Sequence, residues 1–296
     1  MKPPRAGGRI PRLRREGGIP LRAVLPNTVT ALALCSGLTA IRFAILGDWE
    51  VAVLMVLAAA VFDGLDGKIA RLVRAESRFG AELDSLSDAI SFGVAPALIL
   101  YRWSLQYFGS QQGDSRFGWM IALLLALFCA LRLARFNANI DREDQPHKSA
   151  GFLTGVPAPA GAILALTPLL LWNWTNELLA SRASDVVPVS LIETVHHLLR
   201  LPAVIAPWTI FVAILMISSV ATFAPKARIR QRIRFEALAA LVVLVAALVS
   251  APWPTLALLA IAYLATIPFS VRSYRRIRQQ RATAAAPAAV PERREP

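Results

Sequence analysis

Residues 62–88, FDGLDGKIARLVRAESRFGAELDSLSD, lie between two of the most apolar runs of the chain, yet they carry Asp63, Asp66, Glu82, Asp84 and Asp88, with Glu76 in their polar middle. Asp63 and Asp66 are three residues apart at the end of the first run; Asp84 and Asp88 are four apart at the start of the second. On helices both spacings put the pair on one face. The segment between, read as a loop from Gly67 to Gly80, is short enough to hold the two runs as antiparallel neighbours. Four carboxylates then converge at one spot. At about 4 Å in partly screened protein each like-charge pair costs on the order of 4 kcal/mol, so a cation is expected among them. Glu76 and Glu82 read as solvent-facing.

Working outward, the apolar runs come in lengths suited to about 30 Å of hydrocarbon. There are eight, at roughly 27–46, 49–66, 82–101, 118–138, 152–173, 203–224, 236–250 and 253–270. The mean hydropathy of +0.52 and the 56% apolar content agree. The fold class is therefore all-α, a polytopic transmembrane helix bundle of about eight spans. Lys and Arg collect on the cytoplasmic side of membrane proteins. With both termini inside, 27 of the 32 Lys and Arg fall on that side and four on the other, with Arg42 inside the first span. This makes an integral membrane protein, with termini and acids cytoplasmic. The net charge of +13 is explained by basic rims facing anionic lipid headgroups, without nucleic acid.

Cys35 and Cys129 both fall inside spans, which supports neither a disulfide framework nor a zinc cluster. Residues 1–24 read as a basic tail and interfacial segment, 25–270 as the membrane-embedded domain that carries the acids, and 271–296 as a basic, disordered tail. The stretch VPVSLIETVHHLLRLP within 174–200 has the spacing of an interfacial helix. His196 and His197, being adjacent, face different sides of it and read as structural.

Oxygen-only ligands without nearby His or Cys suit Mg2+ or Mn2+ and disfavour zinc. Such metals at a membrane face share coordination with substrate phosphates. Gly67 and Gly80 permit close backbone approach, Arg71 offers a bidentate fork for a phosphate, and Ser77 adds a hydroxyl.

The pattern Asp63-x2-Asp66-Gly67-x2-Ala70-Arg71-x8-Gly80-x3-Asp84-x3-Asp88 resembles the signature of the CDP-alcohol phosphotransferases at every defined position. These membrane enzymes displace CMP from a CDP-linked lipid or alcohol with a second alcohol. The resemblance implies a six-helix core, here with two extra C-terminal spans, and a homodimer. It implies metal ions on Asp63, Asp66, Asp84 and Asp88, with Asp88 also the general base. It assigns CDP-diacylglycerol to Asn27, Asp63, Gly67, Arg71, Ser77 and Gly80. The stretches at 25–45, 79–101, 132–137 and 152–162 look like the serine-using bacterial and archaeal branch, the phosphatidylserine synthases. L-serine needs a cation for its carboxylate and acceptors for its ammonium. Arg132 and Arg135, with Asn137 and Asn139, lie at the depth of the acids and are the candidate serine contacts. Glycerol phosphate, inositol phosphate or choline remain alternative acceptors; choline prefers an aromatic cage, for which only Tyr101 and Phe136 stand out. An ion-coupled transporter is the distant alternative, disfavoured because the acids cluster at one face and no internal symmetry is visible.

Overall fold

The computed structural model describes residues 21–138, 152–181, 188–218, 220–223 and 235–285. The chain opens with α1 (Leu21–Leu46) and α2 (Trp49–Leu72). Then α3 (Arg78–Asp88), a π-helical turn (Ala89–Val94) and α4 (Ala95–Trp103) follow without a break. Next come α5 (Arg116–Ala138), β1 (Phe152–Thr154), α6 (Ala158–Ser181), α7 (Val189–Arg200) and α8 (Pro202–Ile217). β2 (Ala221–Phe223), α9 (Phe235–Ser250) and α10 (Pro252–Ala285) complete the order. A polytopic bundle of apolar helices follows, and the chain is an integral membrane protein.

Four described helical stretches are by themselves long and apolar enough to cross a bilayer: Val24–Leu46, Arg78–Trp103, Arg116–Ala138 and Pro252–Tyr274. A fifth arises if α7 and α8, which meet at a 57° bend, form one broken crossing. α2 and α6 have the length, 24 residues each. α2 spends part of it on Glu50, Asp63 and Asp66, and α6 on Pro168, Asn173 and Thr175. Length and composition alone thus fix fewer crossings than the eight apolar runs.

Close packing explains why the acids meet. Among the described side chains of α1 the buried ones are Pro26, Thr30, Ala33, Gly37, Ala40 and Ala44, a seam of small side chains that repeats every three or four positions. Small seams let helix backbones approach in lipid, where van der Waals contact drives association. At Gly37 a Cβ would collide with Ser91 of the π turn. The buried side of α2 runs through Ala52, Val56 and Ala59 and continues at the same spacing to Asp63 and Asp66. The acids therefore sit on the packed face, not on the lipid face.

The π turn has a local cause. Pro96 lacks an amide hydrogen and its ring pushes against the preceding turn, and the wider turn absorbs this. There the Ala95 amide bonds to the Ile90 carbonyl five residues back.

Several boundaries differ from the sequence reading. α1 begins at Leu21, inside the segment expected to precede the first span. Residues 152–154 and 221–223, read as ends of the fifth and sixth spans, are instead antiparallel strands pairing Phe152 with Phe223 and Thr154 with Ala221. The Gly155 amide extends the clasp to the Val220 carbonyl at 2.7 Å. Outside a helix, the backbone groups of these apolar residues need cross-chain partners. α10 continues to Ala285, so 271–285, expected as disordered tail, is helical. The rest of both tails, 1–20 and 286–296, lies outside the described residues.

Candidate active site

The loop expected from Gly67 to Gly80 is only residues 73–77, because α2 runs on to Leu72 and α3 starts at Arg78. The α2 end is closed by Val73 N–H on the Ile69 carbonyl (2.9 Å) and Ala75 N–H on the Ala70 carbonyl (3.0 Å), with Arg74 at φ +52°. Gly67 and Arg71 are thus helical. The side of Gly67 where a Cβ would stand is open to 4 Å, as it is at Gly64 one turn earlier. Arg71 is exposed and donates its Nε to the Gly67 carbonyl of its own helix at 2.9 Å, not to a carboxylate. Lys68, Arg74, Arg78, Glu76 and Glu82 are exposed as well.

Ser77 caps α3: its Oγ accepts the Gly80 amide at 3.1 Å. A Cβ on Gly80 would lie 3.0 Å from Asn27 Oδ1 and 3.2 Å from Ser77 Oγ, so glycine lets the start of α1 close on the start of α3. Asn27 Nδ2 is buried there with no partner among the described residues.

Each of Asp63, Asp66 and Asp84 offers a carboxylate oxygen, and the three atoms lie within 4.8 Å of one another. Asp66 is buried; Asp63 and Asp84 are half-buried. Asp88, one turn beyond Asp84, stands beside this trio: its carboxyl is in hydrogen-bond contact with Asp63 and within electrostatic range of Asp84 and Arg132. The donor set is all oxygen. Ligands on opposite sides of a hard divalent ion, each at about 2.0–2.6 Å, stand at about this separation. The residues present fit a divalent metal.

Three features of the site went unread in the sequence. The Thr30 hydroxyl of α1 donates to Asp66 Oδ2 at 2.6 Å. Ser85, next to Asp84, accepts from Asn137 Nδ2 at 2.8 Å. Cys129 lies within electrostatic range of Arg132 and Asp88. A lone hydroxyl or thiol in an apolar run carries no partner signal; only its place on the buried seam hints at a role.

The three candidate serine contacts are placed differently. Arg132 is within electrostatic range of Asp88, Cys129 and Tyr263, and its Nε is buried without a hydrogen-bond partner among the described residues. Arg135 donates to the Ser218 carbonyl, beside the strand clasp, at 3.1 Å. Asn137 holds Ser85. Asn139 lies outside the described residues. Tyr101, considered for an aromatic cage, is not at this end. It lies thirteen residues along the helix from Asp88, about 20 Å, and packs edge-on against Trp119 at 5.2 Å.

Residues 23–199 match the family model described as CDP-alcohol phosphatidyltransferase, and residues 232–268 match a second, CDP-alcohol phosphatidyltransferase 2. A CDP-diacylglycerol–serine O-phosphatidyltransferase of Mycobacterium bovis is 37% identical over 281 residues, covering 91% of this chain and 84% of the relative. One of the same name from Helicobacter pylori is 39% identical over 51% of this chain and 59% of its own length. An archaetidylserine synthase of Methanothermobacter thermautotrophicus is 33% identical over 58% of this chain and 69% of its own. The first model covers both acid-bearing helices and the hairpin between them, and with the long M. bovis match it establishes that this chain belongs to the CDP-alcohol phosphatidyltransferase family.

Proposed function

We propose that the chain transfers the phosphatidyl group of CDP-diacylglycerol to L-serine, giving phosphatidylserine and CMP. The observation that carries this is the cluster of Asp63, Asp66 and Asp84 oxygens within 4.8 Å, with Asp88 at its edge. The relatives whose names specify serine support the acceptor.

Asp63, Asp66 and Asp84 hold Mg2+ or Mn2+, and Asp88, which reaches Asp63, adds to the ligand set. When bound, the divalent ion offsets the charge of the diphosphate and of the departing CMP. The open side of Gly67 and the exposed Arg71 fork receive the diphosphate. Asn27, Ser77 and Gly80, gathered where α1 meets α3, border the same nucleotide-lipid. The serine hydroxyl oxygen bonds to the phosphorus bearing the diacylglycerol as the bond to the CMP oxygen breaks in line. Asp88 accepts the hydroxyl proton. Arg132, half-buried with its Nε unmatched among the described residues and within electrostatic range of Asp88, takes the serine carboxylate. Arg135, held by the Ser218 carbonyl, and Asn137, held by Ser85, complete the proposed serine contacts.

The acid end faces the cytoplasm of a bacterial inner membrane, on the strength of the Lys and Arg bias. The working unit is a homodimer, as the family resemblance implies.

Membranes containing the chain, given CDP-diacylglycerol and Mn2+, are expected to incorporate labelled serine, and not glycerol phosphate, inositol phosphate or choline. Asp88→Asn is expected to abolish CMP release while inserting normally. Wild-type turnover in that variant removes Asp88 from the base role.

A further inference from the structure

α1 carries none of the four acids, yet it reaches both helices that do. Thr30 is buried, at 4% exposure, on the α1 seam. Its hydroxyl oxygen lies 2.6 Å from Asp66 Oδ2 and 3.1 Å from the Pro26 carbonyl of its own helix. A hydroxyl has one proton, and the shorter contact, to a charged acceptor, takes it. The Thr30 carbonyl in turn accepts a long 3.4 Å bond from Ser87 Oγ on α3, between Asp84 and Asp88. One residue of a third helix thus touches the acid-bearing turn of α2 and the acid-bearing turn of α3.

We infer that Thr30 is a positioning residue for metal binding: its hydroxyl holds the Asp66 carboxylate in the orientation that the three-oxygen cluster requires.

The physical reason is that a carboxylate rotates broadly about its last side-chain bond, so burial alone does not aim its oxygens. Repulsion from Asp63 and Asp84 turns it away when no cation is present. A neutral donor on one oxygen fixes the rotor without adding charge. Partners that orient metal ligands in this way typically contribute 10–100-fold in affinity. The sequence around Thr30 agrees. A hydroxyl that bonds only its own helix is the common case in this chain, as at Ser36 and Thr39, both directed to the carbonyl four residues back. Thr30 departs from it by reaching a charged side chain on another helix.

The inference rests on the reading of the acids as metal ligands, and the experiment separates the two. The full chain, purified in detergent, is titrated with Mn2+, and free Mn2+ is read by its electron paramagnetic resonance signal. Thr30→Val keeps the shape and removes the donor, and is expected to weaken Mn2+ binding about 10–100-fold. Thr30→Ser restores the donor and is expected to bind close to wild type. Ser87→Ala cuts the α1–α3 tie without touching an acid and is expected to leave Mn2+ affinity unchanged. Thermal melts in EDTA check that each variant is folded, and Thr30→Ala carries the same expectation if Thr30→Val is not. Wild-type affinity in a folded Thr30→Val or Thr30→Ala overturns the inference. So does Thr30→Ser failing as badly as Thr30→Val, since the methyl and not the hydroxyl would then matter. Asp63→Asn is the control: if it leaves Mn2+ binding intact, the metal reading itself fails. If Asp63→Asn abolishes binding and Thr30→Val does not change it, only the role of Thr30 falls.

Discussion

The two ends of the bundle treat charge in opposite ways. At the acid end, four carboxylates meet while Lys68, Arg71, Arg74 and Arg78 on the adjoining turns are exposed, and Arg71 donates its Nε to its own helix. About 22 Å farther along the same helix, past Asp88 and at Trp103, the charge is fully engaged. Arg200 donates to the Trp103 carbonyl at 3.3 Å and lies 5.6 Å over the Trp172 ring, while its own carbonyl accepts from Ser104 at 2.8 Å. His196 stacks on Trp172 at 4.8 Å and meets the Thr175 hydroxyl at 2.9 Å. At that end the charged groups find partners, although the indole nitrogens of Trp103 and Trp172 are buried without one among the described residues. At the acid end like charges are brought together instead, and that asymmetry separates a candidate site from a joint.

The comparison is broken most directly at Asp63. Asp63→Asn removes one of three like charges whose oxygens lie within 4.8 Å. A like-charge pair at about 4 Å costs up to about 4 kcal/mol in partly screened protein. The variant is therefore expected to melt higher than wild type in EDTA while losing at least about a thousandfold in CMP release. Sites held for function commonly trade stability in this way. A lower melting temperature in EDTA would show that the acids are a structural network, and the contrast between the ends would dissolve.

Arg132 gives the intermediate effect. Its guanidinium, on α5, lies within electrostatic range of Asp88, and its planar fork would hold the serine carboxylate. Arg132→Lys keeps the charge and loses the fork. The expected result is a KM for serine raised about 10–100-fold, the equivalent of one charge-assisted hydrogen bond at about 1.5–3 kcal/mol. The KM for CDP-diacylglycerol should hardly move. Equal increases in both would place Arg132 in the framework.

The acids were legible because their meaning lies in short spacing. Asp63 and Asp66, and Asp84 and Asp88, announce one face each, and the run lengths on either side announce antiparallel helices. The extent of the hairpin was not legible, because Gly67 reads as a helix breaker although a glycine facing open space is tolerated inside α2. The strand clasp was hidden for a different reason. FLT and ATF are apolar triplets about seventy positions apart, and nothing local distinguishes them from the ends of spans. The bond from Thr30 to Asp66 spans thirty-six positions and obeys no periodicity. Sequence reading found what periodicity and a short connection decide, and missed pairings between helices and strands far apart in the chain. The serine contacts show the same limit. Arg132, Arg135 and Asn137 look alike by depth, and only the fold shows that Arg135 donates to the Ser218 carbonyl and Asn137 to Ser85 Oγ, while Arg132 Nε has no partner among the described residues.

Arg200 should give the smallest effect, and its smallness is the point. The side chain is exposed, so its contact with the Trp172 ring is in the weak range of about 0.5–1 kcal/mol. Its long 3.3 Å bond to the Trp103 carbonyl adds little. Arg200→Ala is expected to lower stability by about 1 kcal/mol, read as a small drop in melting temperature, with kcat and both KM values unchanged. His196 belongs to the same joint, on the stretch that the sequence reads as an interfacial helix outside the spans. Burial first, then the neighbouring charges of His197 and Arg200, push its pKa below the ordinary imidazole value. A depressed histidine pKa means the unfolded chain binds the proton better, so stability falls as pH drops through the usual histidine range. Removing Arg200 takes away one of those charges and should soften that fall, at pH values where serine incorporation by wild type and variant can be compared side by side. If Arg200→Ala instead lowered kcat, the aromatic end would be coupled to the chemistry, and the 22 Å helix between the two ends would be a lever and not a spacer.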